Sequence, residues 1–136
     1  MTTRRRLSLA GLTMLVGGSG VLHLLLPAPY RRIVPASLGP WRAEIVLGSG
    51  IAEITCALLL VLPRTRRVGA LATALLLVAV FPANIQMAVD GGYRDASFPL
   101  NNAAAAWLRL PLQVPLILWA LSFRAATQEV RTPSPS

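Results

Sequence analysis

The sequence has little of the charge that soluble domains carry on their surface. Only 13% of its 136 residues are charged, and lysine is absent, so all 13 basic residues are arginine. Soluble domains carry about 25% charged residues, so a globule of this composition would not stay dissolved. With 54% hydrophobic residues, the chain is also too apolar for intrinsic disorder, which needs low hydrophobicity.

Cysteine and histidine occur once each, and this limits the chemistry. The lone thiol of Cys56 excludes a disulfide scaffold and also excludes dithiol redox chemistry by the chain itself. One histidine is a poor basis for a metal or haem site. The sequence has no Ser-His-Asp set, no Gly-rich phosphate loop and no metal-ligand cluster. We therefore expect no catalytic residue, no metal site and no catalysis by the chain alone.

What the chain does have is four apolar runs of about 20 residues, the length with which an α-helix crosses a bilayer. The predicted spans are 7–26, 42–62, 68–89 and 103–123. They predict an all-α fold, a four-transmembrane-helix bundle formed by residues 1–123. Residues 124–136 are polar and proline-rich, which predicts a disordered tail.

The net charge of +8 is distributed as a membrane-topology signal. The arginines lie at the ends of the apolar runs and not along one groove, so nucleic acid is not an expected partner. If both termini are cytoplasmic, eight arginines are inside and five outside, as the positive-inside rule requires. The inner set is Arg4, Arg5, Arg6, Arg64, Arg66, Arg67, Arg124 and Arg131, and the outer set is Arg31, Arg32, Arg42, Arg94 and Arg109.

The amino-acid composition also indicates the kind of organism that encodes the chain. Lysine is absent while alanine, arginine, glycine and proline are abundant, which is typical of a GC-rich bacterial genome. We therefore predict a multi-pass membrane protein of a bacterium.

The connection 27–41 contains four prolines, which block a long helix. Tyr30 and Trp41 bracket it in the manner of an interfacial aromatic belt. It is predicted to be a loop on the outer membrane surface, with Ile33, Val34 and Leu38 dipping into the headgroup region.

Two further features predict local structure within the spans. Pro82, Pro111 and Pro115 should kink the third and fourth spans, since proline lacks the backbone donor that a helix needs. Asn101 or Asn102 should cap the fourth helix through its side-chain oxygen.

Six polar side chains fall inside the predicted spans. They are His23, Glu53, Asn84, Gln86, Arg109 and Gln113. Ionisable groups in a bilayer are costly and usually face the bundle interior. Counting helix rise from each span's end places Arg109 at roughly 9 Å depth and Glu53 at roughly 16 Å. Because the arginine side chain can reach across one turn, an ion pair between Glu53 and Arg109 is predicted.

These polar residues have two interpretations that the sequence leaves open. They either lock the helices together or form a functional site. His23, near the end of its span, is predicted to be a hydrogen-bonded packing residue. Asn84 and Gln86 point to nearly opposite helix faces, and Asn84 is favoured for the interior. Close helix packing is predicted on the small-residue face formed by Gly48 and Ala52.

Five short motifs, in this order, resemble the DoxX-like membrane proteins. They are Gly-Val-Leu-His at 20–23, Tyr-Arg-Arg-Ile-Val-Pro at 30–35, Ser-Gly-Ile-Ala-Glu at 49–53, Phe-Pro-Ala-Asn-Ile-Gln-Met at 81–87 and Arg-Leu-Pro-Leu-Gln at 109–113. The resemblance implies a four-helix bundle in the bacterial plasma membrane. Members of that family are linked to quinone-coupled sulfur oxidation, to redox-stress complexes and to maturation of partner proteins. The single cysteine departs from relatives that handle disulfides.

Three functions therefore remain open. The first is an accessory subunit of a membrane redox system, with a polar pocket for a quinone or another small molecule. The second is a non-catalytic scaffold or assembly factor. The third is a small transporter or a proton path through Glu53. The expected partners are the lipid bilayer, redox or other membrane proteins, and a second copy of the chain. No cofactor motif is evident, and a quinone is the candidate ligand.

Overall fold

The computed structural model describes residues 1–92 and 101–125, and all the regular structure in those ranges is helical. The elements in chain order are α1 (Thr3–Leu25), α2 (Pro27–Arg32), a 3₁₀ helix (Ala36–Trp41), α3 (Arg42–Val61), α4 (Arg66–Ala79), α5 (Phe81–Val89) and α6 (Ala103–Leu121). Arg94, which was assigned to the outer set of arginines, lies outside the described residues. So does the predicted disordered tail from residue 126 onwards.

Four helical segments are long and apolar enough to cross a membrane. They are Thr3–Leu25, Ala36–Val61, Arg66–Val89 and Ala103–Leu121. Large apolar side chains such as Met14 and Leu75 are 77% and 70% exposed on the outside of the bundle. In water such exposure would be a liability, whereas lipid is a compatible solvent for it. The prediction of an all-α protein with four apolar spans is confirmed.

The third span is broken, as Pro82 predicts. α4 ends at Ala79 and α5 begins at Phe81, with Pro82 in its first turn. The first turn is where a helix tolerates proline, because the N–H that proline lacks would be unpaired there anyway. By contrast, α6 continues through both Pro111 and Pro115. Asn102 caps α6 as predicted, accepting the backbone N–H of Ala105 at 3.1 Å.

The connection between the first two spans is helical, which corrects the prediction of a surface loop. α2 begins at a proline, and the 3₁₀ helix leads directly into α3. Ile33 and Val34, expected in the headgroup region, are only 8% and 4% exposed. Ile33 packs instead against Met87 and Ala106 of the last two helices. The connection therefore covers one end of the bundle.

α1 and α3 pack closely against each other. A Cβ atom on Gly20 would lie 2.7 Å from the carbonyl oxygen of Gly50, so the two backbones touch where both residues lack a side chain. The prediction that Gly48 lies on a closely packed helix face is wrong, because a Cβ at Gly48 would meet nothing within 4 Å. The face of α3 that meets α1 is the one that carries Gly50.

The other helices complete the bundle by packing in sequence. α4 packs on α3, α6 packs on both α4 and α5, and α6 returns to α1. At this last contact the indole Nε1 of Trp119 donates to the hydroxyl of Ser8 at 2.8 Å. The same end of the bundle is tied by Arg5, whose Nη2 donates to the backbone carbonyl of Ser122.

Candidate functional site

The polar residues lie in a layer between two apolar clusters. The first cluster, near the described ends of the chain, is formed by Leu9, Leu12, Val16, Cys56, Leu60, Ala70, Ala74, Ala120 and Phe123. The second cluster is formed by Ile33, Met87, Ala88 and Ala106. In α1 and in α5 the polar side chain comes after residues of the first cluster in the chain, and in α3 and α6 it comes before them. Four helices thus bring polar groups to one level of the bundle.

His23 and Glu53 form an ion pair in this layer, across the crossing of α1 and α3. His23 Nδ1 lies 3.1 Å from Glu53 Oε2, and each side chain is 12% exposed. Gly20 and Gly50, three residues before each of them, let the two helices approach closely enough for the contact. His23 was expected to be a packing residue, and its carboxylate partner was missed.

The carboxylate of Glu53 is only partly satisfied. His23 Nδ1 also lies 2.8 Å from the carbonyl oxygen of Ser19, and one N–H can point at only one acceptor. Oε2 of Glu53 is buried and receives no hydrogen bond from the residues that the structure describes. The contact with the imidazole therefore leaves the carboxylate capacity to accept a further hydrogen bond.

Tyr30 of α2 is the residue of this site that the sequence did not reveal. Its ring stacks on the imidazole of His23, with centroids 3.8 Å apart and planes inclined by 26°. Burial raises the pKa of the Tyr30 hydroxyl above its ordinary value, and the nearby negative charge of Glu53 raises it further, while Arg109 opposes this. The Tyr30 phenol therefore stays protonated at neutral pH. From the sequence, Tyr30 had the appearance of an interfacial aromatic residue.

A second polar group joins the third and fourth spans. Asn84 Nδ2 donates to Gln113 Oε1 at 2.9 Å, and Gln113 Nε2 donates to the backbone carbonyl of Leu77. Leu77 lies near the end of α4, close to the break ahead of Pro82. The two amides thus hold α6 against the broken span, and the preference for Asn84 as the interior residue is confirmed.

The predicted ion pair between Glu53 and Arg109 is not formed. Among the described residues the carboxylate pairs with His23, and Arg109 Nη1 instead contacts the sulfur of Met87 at 3.7 Å. The Arg109 side chain is exposed on the bundle. The positive charge of Arg109 still affects the site, because it lowers the pKa of the Tyr30 hydroxyl.

Gln86 does not belong to the polar layer. Its Nε2 donates to Asp90 Oδ1 at 3.0 Å, one turn along the same helix and exposed. Of the six residues predicted, the structure pairs His23 with Glu53 and Asn84 with Gln113. Arg109 contacts Met87 and pairs with none of these four residues. Gln86 lies outside the polar layer. In residues 1–92 and 101–125 no three metal-ligating side chains form a group.

The two glutamines provide a matched test of the second polar group. Gln113→Leu removes both bonds of a side chain that is 4% exposed and leaves Asn84 and the Leu77 carbonyl without that partner. We expect a loss of about 1–3 kcal/mol in the free energy of unfolding. Gln86→Leu removes one exposed bond and should change it by at most about 0.5 kcal/mol. Unfolding in detergent measures both, and equal losses would contradict the structural role of Gln113.

Comparisons with known proteins give one match. The model of a family described as a domain of unknown function, DUF8561, matches residues 12–124, which include all four spans except the start of the first. No curated protein and no solved structure matches the chain.

Proposed function

We propose that this chain, which belongs to the DUF8561 family, is an accessory subunit of a redox system in the bacterial plasma membrane. In this proposal both termini are cytoplasmic, and the polar layer holds a small lipophilic molecule with a hydrogen-bonding head, of which a quinone is the candidate. The likeness to DoxX-like proteins supports the redox context, and the arginine distribution supports the orientation.

The observation that carries the proposal is the buried Oε2 oxygen of Glu53, which accepts no hydrogen bond among the described residues. Roughly nine in ten buried polar groups in proteins have a hydrogen-bond partner, so an exception asks for a reason. Glu53 is 9% exposed, and its Oε2 accepts no hydrogen bond among the described residues. A network that served only to join helices would satisfy its members, as Gln113 is satisfied. A hydroxyl on a bound molecule, such as that of the reduced quinol form of a quinone, gives Glu53 the missing donor.

The neighbours of Glu53 suit the head of such a molecule. The imidazole of His23 and the ring of Tyr30 are stacked on each other beside the carboxylate. Flat rings add to such stacks, and the carboxylate of Glu53 is an acceptor for a hydroxyl of the head. An aromatic head with oxygen substituents would thus find both stacking and hydrogen bonds, while its tail would remain among lipid-facing side chains.

The test is whether the purified protein carries a bound small molecule and loses it when the Glu53 carboxylate is replaced. The protein is purified from its native membranes in mild detergent, and bound small molecules are extracted and identified by mass spectrometry. We expect one quinone-like compound in the wild type and its loss, by tenfold or more, in Glu53→Gln. Asp90→Asn, which changes an exposed carboxylate outside the site, should retain the compound.

Two results would overturn the binding proposal. One is a wild-type protein that carries no such compound. The other is a Glu53→Gln variant that keeps its compound in full. If that variant binds normally but loses a protein partner on co-purification, the polar layer serves assembly, and the scaffold function replaces the binding function.

A further inference from the structure

A groove opens where α1, α2 and α3 meet, at the end of the bundle where Ile33 and Met87 lie. Its volume is about 260 Å³, slightly below the roughly 300–1,000 Å³ of most ligand pockets. Leu24 of α1 and Leu47 of α3 line it, and both are exposed, at 38% and 53%. A groove of this size holds the head of an amphiphile and leaves the chains outside on the apolar helix faces.

Two opposite charges line this groove without pairing. Arg31 at the end of α2 and Glu44 in the first turn of α3 both contribute to its surface. Neither takes part in an ion pair within the part of the chain that the structure describes, where the pair of His23 and Glu53 is formed. A ligand that carries both an anion and a cation would satisfy the two residues at once. Arginine suits a phosphate because its planar guanidinium donates two parallel hydrogen bonds.

We place the groove at the level of the lipid headgroups. Trp41, which is 63% exposed, immediately precedes α3, and tryptophan is enriched at the membrane–water interface. Glu44 follows Trp41 by three residues, which is about 4.5 Å along a helix. The charged end of the groove is therefore within reach of phosphate and amine groups, while Leu24 and Leu47 extend towards the hydrocarbon.

We propose that this groove binds a phospholipid whose headgroup carries a primary amine, as phosphatidylethanolamine does. Arg31 holds the phosphate, Glu44 holds the ammonium, and the acyl chains pack along Leu24 and Leu47. A soluble zwitterion would leave the two exposed leucines without a partner, which is why a lipid fits the groove better. This site is separate in chemistry from the proposed site at Glu53, although His23 contributes to both.

The proposal is tested by lipid competition on the full-length protein. The purified, delipidated protein is mixed in detergent with equal amounts of phosphatidylethanolamine, phosphatidylcholine and phosphatidylglycerol, and retained lipid is counted by native mass spectrometry. We expect a preference for phosphatidylethanolamine. Because exposed ion pairs are weak, a factor of about three to five is the expected size.

Each charge has its own expected result. Arg31→Gln should weaken retention of all three lipids, since all carry a phosphate. Glu44→Gln should abolish the preference for the amine, and Glu44→Asp, which keeps the charge, should largely retain it. Arg64→Gln, in the connection at the opposite end of the bundle, is the matched control and should behave as the wild type.

Two outcomes overturn the lipid site. One is a wild type that retains the three lipids equally, and the other is a preference that survives Glu44→Gln. The thermal stability of each variant, measured beside its lipid retention, separates lost binding from lost folding. Glu53→Gln should keep the lipid preference while losing the quinone-like molecule, so this proposal and the proposed function can fail independently.

Discussion

Gly20→Ala and Gly50→Ala should each destabilise the bundle, by about 1–3 kcal/mol, the usual cost of overpacking a tight contact. A Cβ on Gly20 would lie 2.7 Å from the Gly50 carbonyl oxygen, and a Cβ on Gly50 would lie 2.9 Å from Cβ of His23. Backbone atoms cannot rotate away as a side-chain end can, so the helices must move apart. Thermal unfolding in detergent measures the loss.

The chain provides matched controls on the same two helices. A Cβ at Gly18 or Gly48 would meet nothing within 4 Å. Gly18→Ala and Gly48→Ala should therefore be neutral, or stabilising by up to about 1 kcal/mol, because alanine favours the helix over glycine. If all four substitutions cost the same, the close crossing of α1 and α3 does not exist as described.

The spans could be predicted because bilayer thickness fixes their length, so apolar runs of about 20 residues identify them directly. The cap at Asn102 and the break ahead of Pro82 also depend on local chemistry, and both were predicted. Helical periodicity put Asn84 and Gln86 on nearly opposite faces of one helix, and Asn84 was favoured for the interior, where it bonds to Gln113. Each of these predictions uses information that lies within one helix or at its end.

The contacts between helices were harder to predict, because the sequence does not give the relative height of two helices. Counting depth from the end of each predicted span put Glu53 beside Arg109. In the structure the 3₁₀ helix Ala36–Trp41 extends the second span by six residues, which changes the level at which α3 begins. Tyr30 was missed for a related reason, because α2 turns back over the bundle end and was expected to lie on the surface.

One signal in the sequence does point to the observed pair. Glu53 follows Gly50 by three residues, and His23 follows Gly20 by three, so each polar side chain shares a helix face with a glycine. Gly48 and Gly50 are two residues apart and lie on nearly opposite faces. The helix face that carries Glu53 is therefore the face of Gly50 and not that of Gly48, and it is the face that meets α1.

A double-mutant cycle should show strong coupling between His23 and Glu53. Their charged atoms are 3.1 Å apart and largely enclosed, and removing one member leaves the other without its partner. Breaking such a pair costs on the order of 3 kcal/mol when it is buried. His23→Gln and Glu53→Gln should each lower the free energy of unfolding, and the double variant should lose less than the sum of the two, by about 0.5–3 kcal/mol.

The same cycle with Arg109→Gln provides the contrast. Arg109 contacts the sulfur of Met87 and forms no ion pair with Glu53, so the effects of Arg109→Gln and Glu53→Gln should add to within about 0.5 kcal/mol. Additive losses for His23 and Glu53, together with coupling between Glu53 and Arg109, would show that the carboxylate has the other partner. The stacking of Tyr30 on the imidazole gives an independent measurement. His23→Gln should change the near-ultraviolet circular dichroism of the tyrosine, whereas Arg109→Gln should leave the stack in place.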